Sequence, residues 1–461
     1  MFPQSEGVAQ RPAVGKVMVA NRGEIAVRVI RTCSRLGMPT VAVYSDPDRE
    51  APHVRLATEA YPLGGCWVEE TYCNVEKLLD IARRSGVRAI HPGYGFLSEN
   101  AGFARVCEEA GLIFIGSPSS VLRQAGHKLH VRKLANSIGV PVLPGSLEPL
   151  KSPEEFRLVC AEVGYPVYLK PAAYSGGGRG IQMVKNEAEL FSLLERLERI
   201  GRNGDLSNFY VEKWAKEAKH VEVQLLGDVY GRVIALGDRE CTIQRRHQKL
   251  IEEAPCARLH RDEALQLRMR EAALRIARAV NFVGAGTVEF LLDRRGNFYV
   301  IEINCRLQVE HPVTEMVRGI DLVEQQLHIA AGNPLHMGLE VAHPVTGAAI
   351  ECRVYAEDPK QGFLPSPGFI TQVVEPAGEG VRVDSALYPG MEVTPYYDSM
   401  LAKVITWGKD RPQALERMRG ALKSFVLEGI KHTVPFCLAV LEDPKFISGD
   451  YNYSLASNIS R

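Results

Sequence analysis

The chain is predicted to be an α/β and α+β protein, with a doubly wound N-terminal domain, a largely antiparallel centre and a mixed β/α C-terminal domain. Three observations carry this expectation. From Lys16 to Gly116 short apolar runs alternate with helical patterns, as in a parallel sheet covered by helices. From Tyr210 onward, strand-like runs follow one another across charged or Gly-containing turns, the antiparallel pattern. A length of 461 residues exceeds one small core and suggests about three domains.

Taken in order, VMVA at 17–20, a helix near Glu24 to Leu36, TVAVY at 40–44, RAIH near 88–91, a helix from Ala101 and LIFIG at 112–116 build the first domain. Its first strand-to-helix turn, Ala20-Asn21-Arg22-Gly23-Glu24, is not GxGxxG, so the dinucleotide fingerprint is absent and an oxidoreductase is disfavoured. After Gly126 a helix begins near Lys128, another spans roughly Pro153 to Val163, and YPVYLK at 165–170 runs into PAAYSGGGRG. A strand feeding such a loop resembles a phosphate cradle, because Gly176, Gly177 and Gly178 let backbone N–H groups approach anionic oxygens while Lys170 and Arg179 add cations. The same residues also fit a plain hairpin turn leading to IQMV. YVEK, KHVEVQLL and GRVIALGD follow as strands, with His220, Glu222 and Gln224 on one face and Val221, Val223 and Leu225 on the other. Helices are expected near Asp262 to Val280 and Ile320 to Ala331. From about Pro344 strands mix with FLPSPG and YYDSM turns, and the chain finishes with one long helical pattern near Pro412 to Leu427.

The segment IEINCRLQVEH, Ile301 to His311, reads as an extended strand whose one face carries Glu302, Asn304, Arg306, Gln308 and Glu310, while Ile303, Cys305, Leu307 and Val309 face the core. Two acids, two amides and an arginine at even spacing differ from an ordinary solvated strand, although alternation alone shows only a half-buried one. The preceding run Thr287 to Asp293 pairs with it across Arg294-Arg295-Gly296-Asn297. With Arg295-Gly296 as a two-residue turn, Glu289 faces Glu302. Facing carboxylates repel, so the pairing makes sense around a divalent cation, and oxygen ligands from Glu289, Glu302 and Asn304 suit Mg²⁺ or Mn²⁺. A longer loop would shift the register by one residue and leave Glu289 as a solvated acid on the other face.

Bulk composition excludes several classes. Apolar content of 46% and charged content of 24% are ordinary for a soluble globular protein. With 55 basic and 55 acidic residues the formal net charge is zero, so neither nucleic acid nor a membrane is an expected partner. Ten cysteines without CxxC spacing read as reduced thiols in a cytoplasmic protein, with no metal site among them. No run approaches the roughly 20 apolar residues that span a bilayer. The opening MFPQSEGVAQRPAVG is expected to be a disordered leader, and its single Arg and its Glu give poor support for a transit peptide.

Joint order and spacing of KVMVANRGEIAVRVIR, HPGYGFLSEN, YLKP…GGGRG, HVEVQ, CTIQRRHQKLIEEAP, EFLLD…IEINCRLQVEHPVTEM, IECRVYAEDP, FLPSPG and YYDSMLAKV resemble the biotin carboxylase component of biotin-dependent carboxylases, an ATP-grasp enzyme, over essentially everything after Gly15. The resemblance implies a pre-ATP-grasp domain at 16–126 after a leader at 1–15, an ATP-grasp domain at 127–343 with a lid over about 142–215, and a closing C-terminal domain at 344–461. It implies ATP-dependent carboxylation of biotin with bicarbonate through carboxyphosphate. It also implies an ATP site of Lys128, Lys170, the three lid glycines, Glu212, Lys213, His220, Gln244 and His247; a bicarbonate pocket of Lys249, Arg306, Gln308 and the backbone of Val309; Glu310 as general base; and Arg353 at the biotin enolate. Glu289, Glu302 and Asn304 match the family's metal site. Biotin would arrive on a carrier protein or domain, with a carboxyltransferase in trans or on a longer chain, and relatives that dimerise add a homodimer to the expected partners. No MKM-type biotinylation segment occurs, which leaves the final acceptor unspecified.

Taken singly, His220 and His247 also fit structural histidines. His311 is expected in the core and Arg245 in a solvated charge run. Two departures from the family pattern stand out: His127 where an acid is usual, and three consecutive glycines where four or five are usual, which predicts a less mobile lid. Competing readings are another ATP-grasp ligase acting through an acyl phosphate, and a nucleotide-binding regulatory subunit without chemistry.

Overall fold

The computed structural model describes residues 14–172, 180–200, 206–215, 217–246, 248–336 and 338–459. Gly176, Gly177, Gly178, Arg179 and His247 lie outside the described residues, as does most of the expected leader.

Strands β1 (Val17–Val19), β2 (Thr40–Tyr44), β3 (Glu59–Pro62), β4 (Ala89–His91) and β5 (Ile113–Phe114) form a parallel sheet in the order β3-β2-β1-β4-β5. Strand order reverses at β1, and open α/β sheets bind ligands at such a switch point. There the chain enters the helix Gly23–Arg35. Asn21 clamps the loop after β4, its amide donating to the carbonyls of Pro92 at 2.7 Å and Tyr94 at 2.8 Å. A Cβ at Gly93 would meet that amide at 2.9 Å, so the close approach requires glycine. The edge strand β3 was not expected, because EAYP is short and ends in proline.

A small unit follows, with β6 (Val167–Pro171), β7 (Gln182–Val184) and β8 (Phe209–Lys213) in the order β7-β6-β8. The helices Pro153–Val163 and Glu187–Ile200 accompany it, and Phe156, Leu169, Leu190 and Val211 form its core. Ser152 starts the first helix by accepting from the Glu155 N–H, with Pro153 in the first turn.

The site rests on an eight-stranded antiparallel sheet. It contains β9 (Lys219–Gly227), β10 (Val233–Arg245), β11 (Gln248–Ala254), β12 (Gly284–Leu292), β13 (Phe298–Asn304), β14 (Ala348–Tyr355) and two further strands, Val381–Ser385 and Met400–Gly408. Its order is β13-β12-β9-β10-β11-β14, then Met400–Gly408 and Val381–Ser385. Because β11 pairs with β14, backbone hydrogen bonds join the centre of the chain to its C-terminal part. No described helix is long and apolar enough to cross a membrane.

The β12–β13 hairpin departs from the expected geometry in two ways that cancel. The turn has three residues, Arg294-Arg295-Gly296, with Gly296 at φ +83° and the Asp293 N–H donating to the Asn297 carbonyl at 2.9 Å. That offset alone would place Glu289 opposite Ile301. Ile301 is instead an extra, bulged residue between the Phe290–Val300 and Glu289–Glu302 pairs, and the two carboxylates face each other after all. The expected strand to Glu310 is corrected too: β13 ends at Asn304, and 305–310 is irregular chain leading into the helix His311–Arg318, whose first turn holds Pro312.

Nor is Arg411–Ser424 the last helix, since Val434–Glu442, Pro444–Ser448 and Ser454–Ile459 follow. The first of these is apolar almost all round, and the others are too short to show a stripe. Replacing Gly296 by Ala strains the left-handed turn position, and is expected to lower stability by about 1 kcal/mol in a urea titration.

Candidate active site

One rung of the sheet organises the cleft. Arg239 on β10, Glu222 on β9, Glu289 on β12 and Glu302 on β13 are register partners in sequence, so three carboxylates stand side by side. Each has a cation. Arg239 donates to Glu222 at 2.5 Å, and Lys128, from the helix Lys128–Ser137, lies 2.6 Å from Glu302. His220 places Nε2 2.7 Å from Glu289 and Nδ1 2.7 Å from the Gln244 amide. Lys249 Nζ sits within 2.8 Å of Glu222, 3.0 Å of Glu289 and 2.6 Å of Glu310.

Glu310 is wholly buried ahead of the helix His311–Arg318. Its Oε1 accepts from Lys249, and its Oε2 accepts from Arg353 Nη2 at 2.9 Å. Burial opposes its charge, but Lys249, Arg353 and Arg239 more than offset this and hold the carboxyl well below its usual range. Glu289 is likewise held low, with Lys249 and His220 overcoming the effect of burial. Arg353 also donates Nε to Glu252 at 2.6 Å and Nη1 to the Tyr355 hydroxyl at 3.3 Å.

The irregular chain after Asn304 is fixed from several sides. Arg306 Nε donates to Glu99 of the N-terminal domain at 2.8 Å, and Nη1 donates to Gln308 Oε1 at 2.7 Å. Gln308 donates to Thr287 Oγ1 at 2.8 Å, and Lys403 Nζ donates to the Val309 carbonyl at 2.7 Å. Arg306, Gln308, Val309 and Glu310 therefore reach the cleft from a loop, not from a strand.

On the opposite wall Lys170 pairs with Glu212, which also accepts from Arg132 at 2.9 Å. Both line the cleft. Lys213 lines it as well, but its ammonium donates to the Gly164 carbonyl at 2.6 Å. His127 caps the helix Lys128–Ser137, its ring Nδ1 accepting from the His130 N–H at 3.3 Å, the job an acid does at a helix start. His311 is buried, with Nδ1 2.8 Å from the Gln308 carbonyl, as its core assignment expects. Arg245 is not simply solvated: it lies over the Phe363 ring at 5.0 Å and donates to the Gly362 carbonyl.

Several participants escaped the sequence reading. Glu222 shares the face of His220 and its parity could have flagged it; Glu252 stands among the acids of IEEAP. Glu99 and Lys403 stand inside HPGYGFLSEN and YYDSMLAKV, but nothing local ties them to Arg306 or Val309, which are remote in the chain. Arg239 meets Glu222 only through the register of the β9–β10 hairpin.

The donor set fits a hard divalent ion. Glu289 and Glu302 converge on one amide, Asn304 Nδ2 lying 3.0 Å from the first and 3.5 Å from the second while its Oδ1 accepts from Arg306 Nη2 at 3.2 Å. The same amide turned by half a rotation, with Arg306 released, offers an oxygen between two carboxylates.

Replacing Lys249 by Met leaves three buried acids short of a cation, with an expected cost of roughly 3–5 kcal/mol in denaturant titration. Because Glu289 and Glu310 lie below the ordinary value of 4.5, the unfolded chain binds more protons there. Their stabilisation is present above that value and is lost as pH falls through the lowered native values, so the penalty of the variant is expected to shrink on acidification.

Family models match nearly the whole chain: biotin carboxylase, N-terminal domain, at 13–122; carbamoyl-phosphate synthase L chain, ATP binding domain, at 127–337; and biotin carboxylase C-terminal domain at 351–457. The chain is 46% identical over 445 residues to biotin carboxylase 1 of Bacillus subtilis, covering 95% of this chain and 97% of that protein. It is 46% identical over 441 residues to the 2-oxoglutarate carboxylase small subunit of Hydrogenobacter thermophilus, covering 95% and 92%. Among solved structures, the biotin carboxylase domain dimer of that carboxylase, in complex with MgADP, ADP and bicarbonate, superposes with a TM-score of 0.91 at 43% identity over 97% of this chain and 98% of that one. A biotin carboxylase from Campylobacter jejuni, in a β-γ-ATP complex, gives a TM-score of 0.91 at 41% identity over 96% and 98%. The chain belongs to the biotin carboxylase family, whose N-terminal and C-terminal domains it carries on either side of an ATP-binding domain.

Proposed function

We propose that this chain carboxylates biotin at the expense of ATP, with bicarbonate as the carbon source, and that the residues of the cleft divide the work as follows. ATP lies between the sheet and the unit built on β6, β7 and β8. Lys128 and Lys170 meet its phosphates, and Glu212, Lys213, His220 and Gln244 line the rest of its pocket; the ATP roles that the resemblance gives the lid glycines and His247 fall on residues outside those described. Glu289 and Glu302, with Asn304 beside them, would hold Mg²⁺ or Mn²⁺, which supplies charge neutralisation at the β and γ phosphates.

Bicarbonate is met by Lys249, Arg306, Gln308 and the backbone of Val309, two cations with amide donors around a small anion. Glu310 takes the bicarbonate proton, and the resulting oxygen attacks the γ-phosphorus while ADP leaves, giving carboxyphosphate. Carboxyphosphate then gives up CO2 with inorganic phosphate as the leaving group; the phosphate takes the N1′ proton of biotin, and N1′ bonds to the carbon while Arg353 stabilises the negative charge on the ureido oxygen. The observation that carries this reading is the bridging of Glu310, one oxygen on Lys249 and the other on Arg353, which joins the cation assigned to bicarbonate to the cation assigned to biotin through the base. Bicarbonate that draws Lys249 away would raise the basicity of Glu310 at the moment a base is needed.

Biotin is supplied by a carrier protein or domain, and the carboxyl group is consumed by a carboxyltransferase on another chain or on a longer one. Relatives named as carboxylase subunits support this, and the dimer of the Hydrogenobacter structure supports a homodimer. All ten cysteines are free, which supports a reducing, cytoplasmic compartment.

ADP release with Mg²⁺ and bicarbonate is expected to rise on addition of biotin, and to fall by about 10²–10⁴-fold in Glu310→Gln. Chelation of Mg²⁺ is expected to abolish it. ATP cleavage indifferent to bicarbonate and biotin would favour a ligase with another acceptor; ATP binding without cleavage would favour a regulatory subunit.

A further inference from the structure

Facing glutamates recur in the eight-stranded sheet: Glu222 with Glu289, Glu289 with Glu302, Glu240 with Glu253, and Glu252 with Glu351. Side chains directly opposite on antiparallel strands stand about 5 Å apart, so ionised pairs repel. In the first three pairs each acid has a cation within reach: Arg239 and Lys249 at Glu222, Lys249 again at Glu289, Lys128 at Glu302, Lys219 2.6 Å from Glu240 and Arg411 2.6 Å from Glu253. The fourth pair is different. Glu252 has Arg353, but neither oxygen of Glu351 has a hydrogen-bond partner among the described residues, and the residue is wholly buried.

The charged groups around Glu351 are otherwise engaged. Arg353, two residues along β14, is bound to Glu252 and Glu310. Lys403, on the neighbouring strand Met400–Gly408, directs its ammonium to the Val309 carbonyl at 2.7 Å, to Glu24 at 3.4 Å and to Asp384 at 3.9 Å. Arg382, farther along the same rung on Val381–Ser385, is held by Asp384 and Glu315. Meanwhile Glu252 Oε2 also lacks a hydrogen-bond partner.

We propose that Glu351 is kept as a neutral carboxylic acid, a positioning residue whose proton faces the Glu252 carboxylate and leaves Glu252 free to hold Arg353 in place. Burial pushes Glu351 well above the usual carboxylate range; burial acts on Glu252 in the same direction, but there Arg353 opposes it. Ionised, Glu351 would set a second charge against Glu252 with no cation to spare, and the repulsion would fall on the contact that orients Arg353. The functional consequence rests on the assignment of Arg353 to the biotin half of the reaction; the protonation state does not.

Infrared spectroscopy of the intact protein at neutral pH tests the proton directly. A protonated-carboxyl stretch that disappears in Glu351→Gln is expected, and absence of any such band in the parent protein overturns the proposal. Thermal unfolding gives an independent sign. Above the ordinary carboxylate value of 4.5 the native state would bind the extra proton and lose stability as pH rises. Glu351→Gln removes that loss, so its Tm is expected to exceed the parent's by about 2–4 °C at neutral pH, with a lead that widens on alkalinisation. A lower Tm for Glu351→Gln at neutral pH, as for a lost ion pair with Lys403, overturns it.

In the pH profile of biotin-dependent kcat, the alkaline limb is expected to move upward in Glu351→Gln, and Gln is expected to rescue the turnover lost in Glu351→Ala. An unmoved limb overturns the positioning role. Absence of biotin-dependent turnover in the parent protein would instead reject the Arg353 assignment, leaving the infrared and unfolding results to decide the proton.

Discussion

The site depends on one ammonium group. Lys249 lies at the start of β11, and its Nζ is shared by Glu222 of β9, Glu289 of β12 and Glu310 of the chain before His311–Arg318. These acids come from three separate segments and are buried, so without a common cation the register that brings them together would be opposed by their own charges. The group proposed to hold bicarbonate is therefore also what allows the sheet to close. Any anion that competes for Lys249 changes the basicity of Glu310 and the balance of the rung together.

Around this centre the three parts of the chain meet through charge. The N-terminal domain contributes Glu99 to Arg306, and Arg28 of its first helix donates to Glu315 and Asp321 at 2.8 Å. The C-terminal part contributes Arg353 to Glu310 and Lys403 to the Val309 carbonyl. The loop bearing Arg306, Gln308 and Glu310 is thus held from both sides, which explains how an irregular segment can present the proposed bicarbonate pocket with fixed geometry.

Local patterns made much of this legible. Alternation in IEINCRLQVEH placed Glu302, Asn304, Arg306, Gln308 and Glu310 at the cleft, although only the first two are in the strand; Pro312 and the helix it opens draw the remainder out of the sheet. The facing of Glu289 and Glu302 was inferred from a two-residue turn that does not exist, and survives because the bulge at Ile301 cancels the longer turn. Bulges leave little trace in a sequence, since any residue of an alternating run can be the extra one. Lys403 and Glu351 look like ordinary strand residues, and what gives each its meaning is a partner far away along the chain; Arg239 depends instead on the register that sets it opposite Glu222 on the preceding strand. His127 is the reverse case: an oddity in sequence that the structure accounts for locally as a helix cap.

The central claim, that bicarbonate held at Lys249 and deprotonated by Glu310 attacks ATP, is tested most directly with ¹⁸O-labelled bicarbonate and biotin. Attack by a bicarbonate oxygen predicts one labelled oxygen in each inorganic phosphate released, together with carboxylated biotin. Phosphate that carries no label while ADP accumulates would contradict the account.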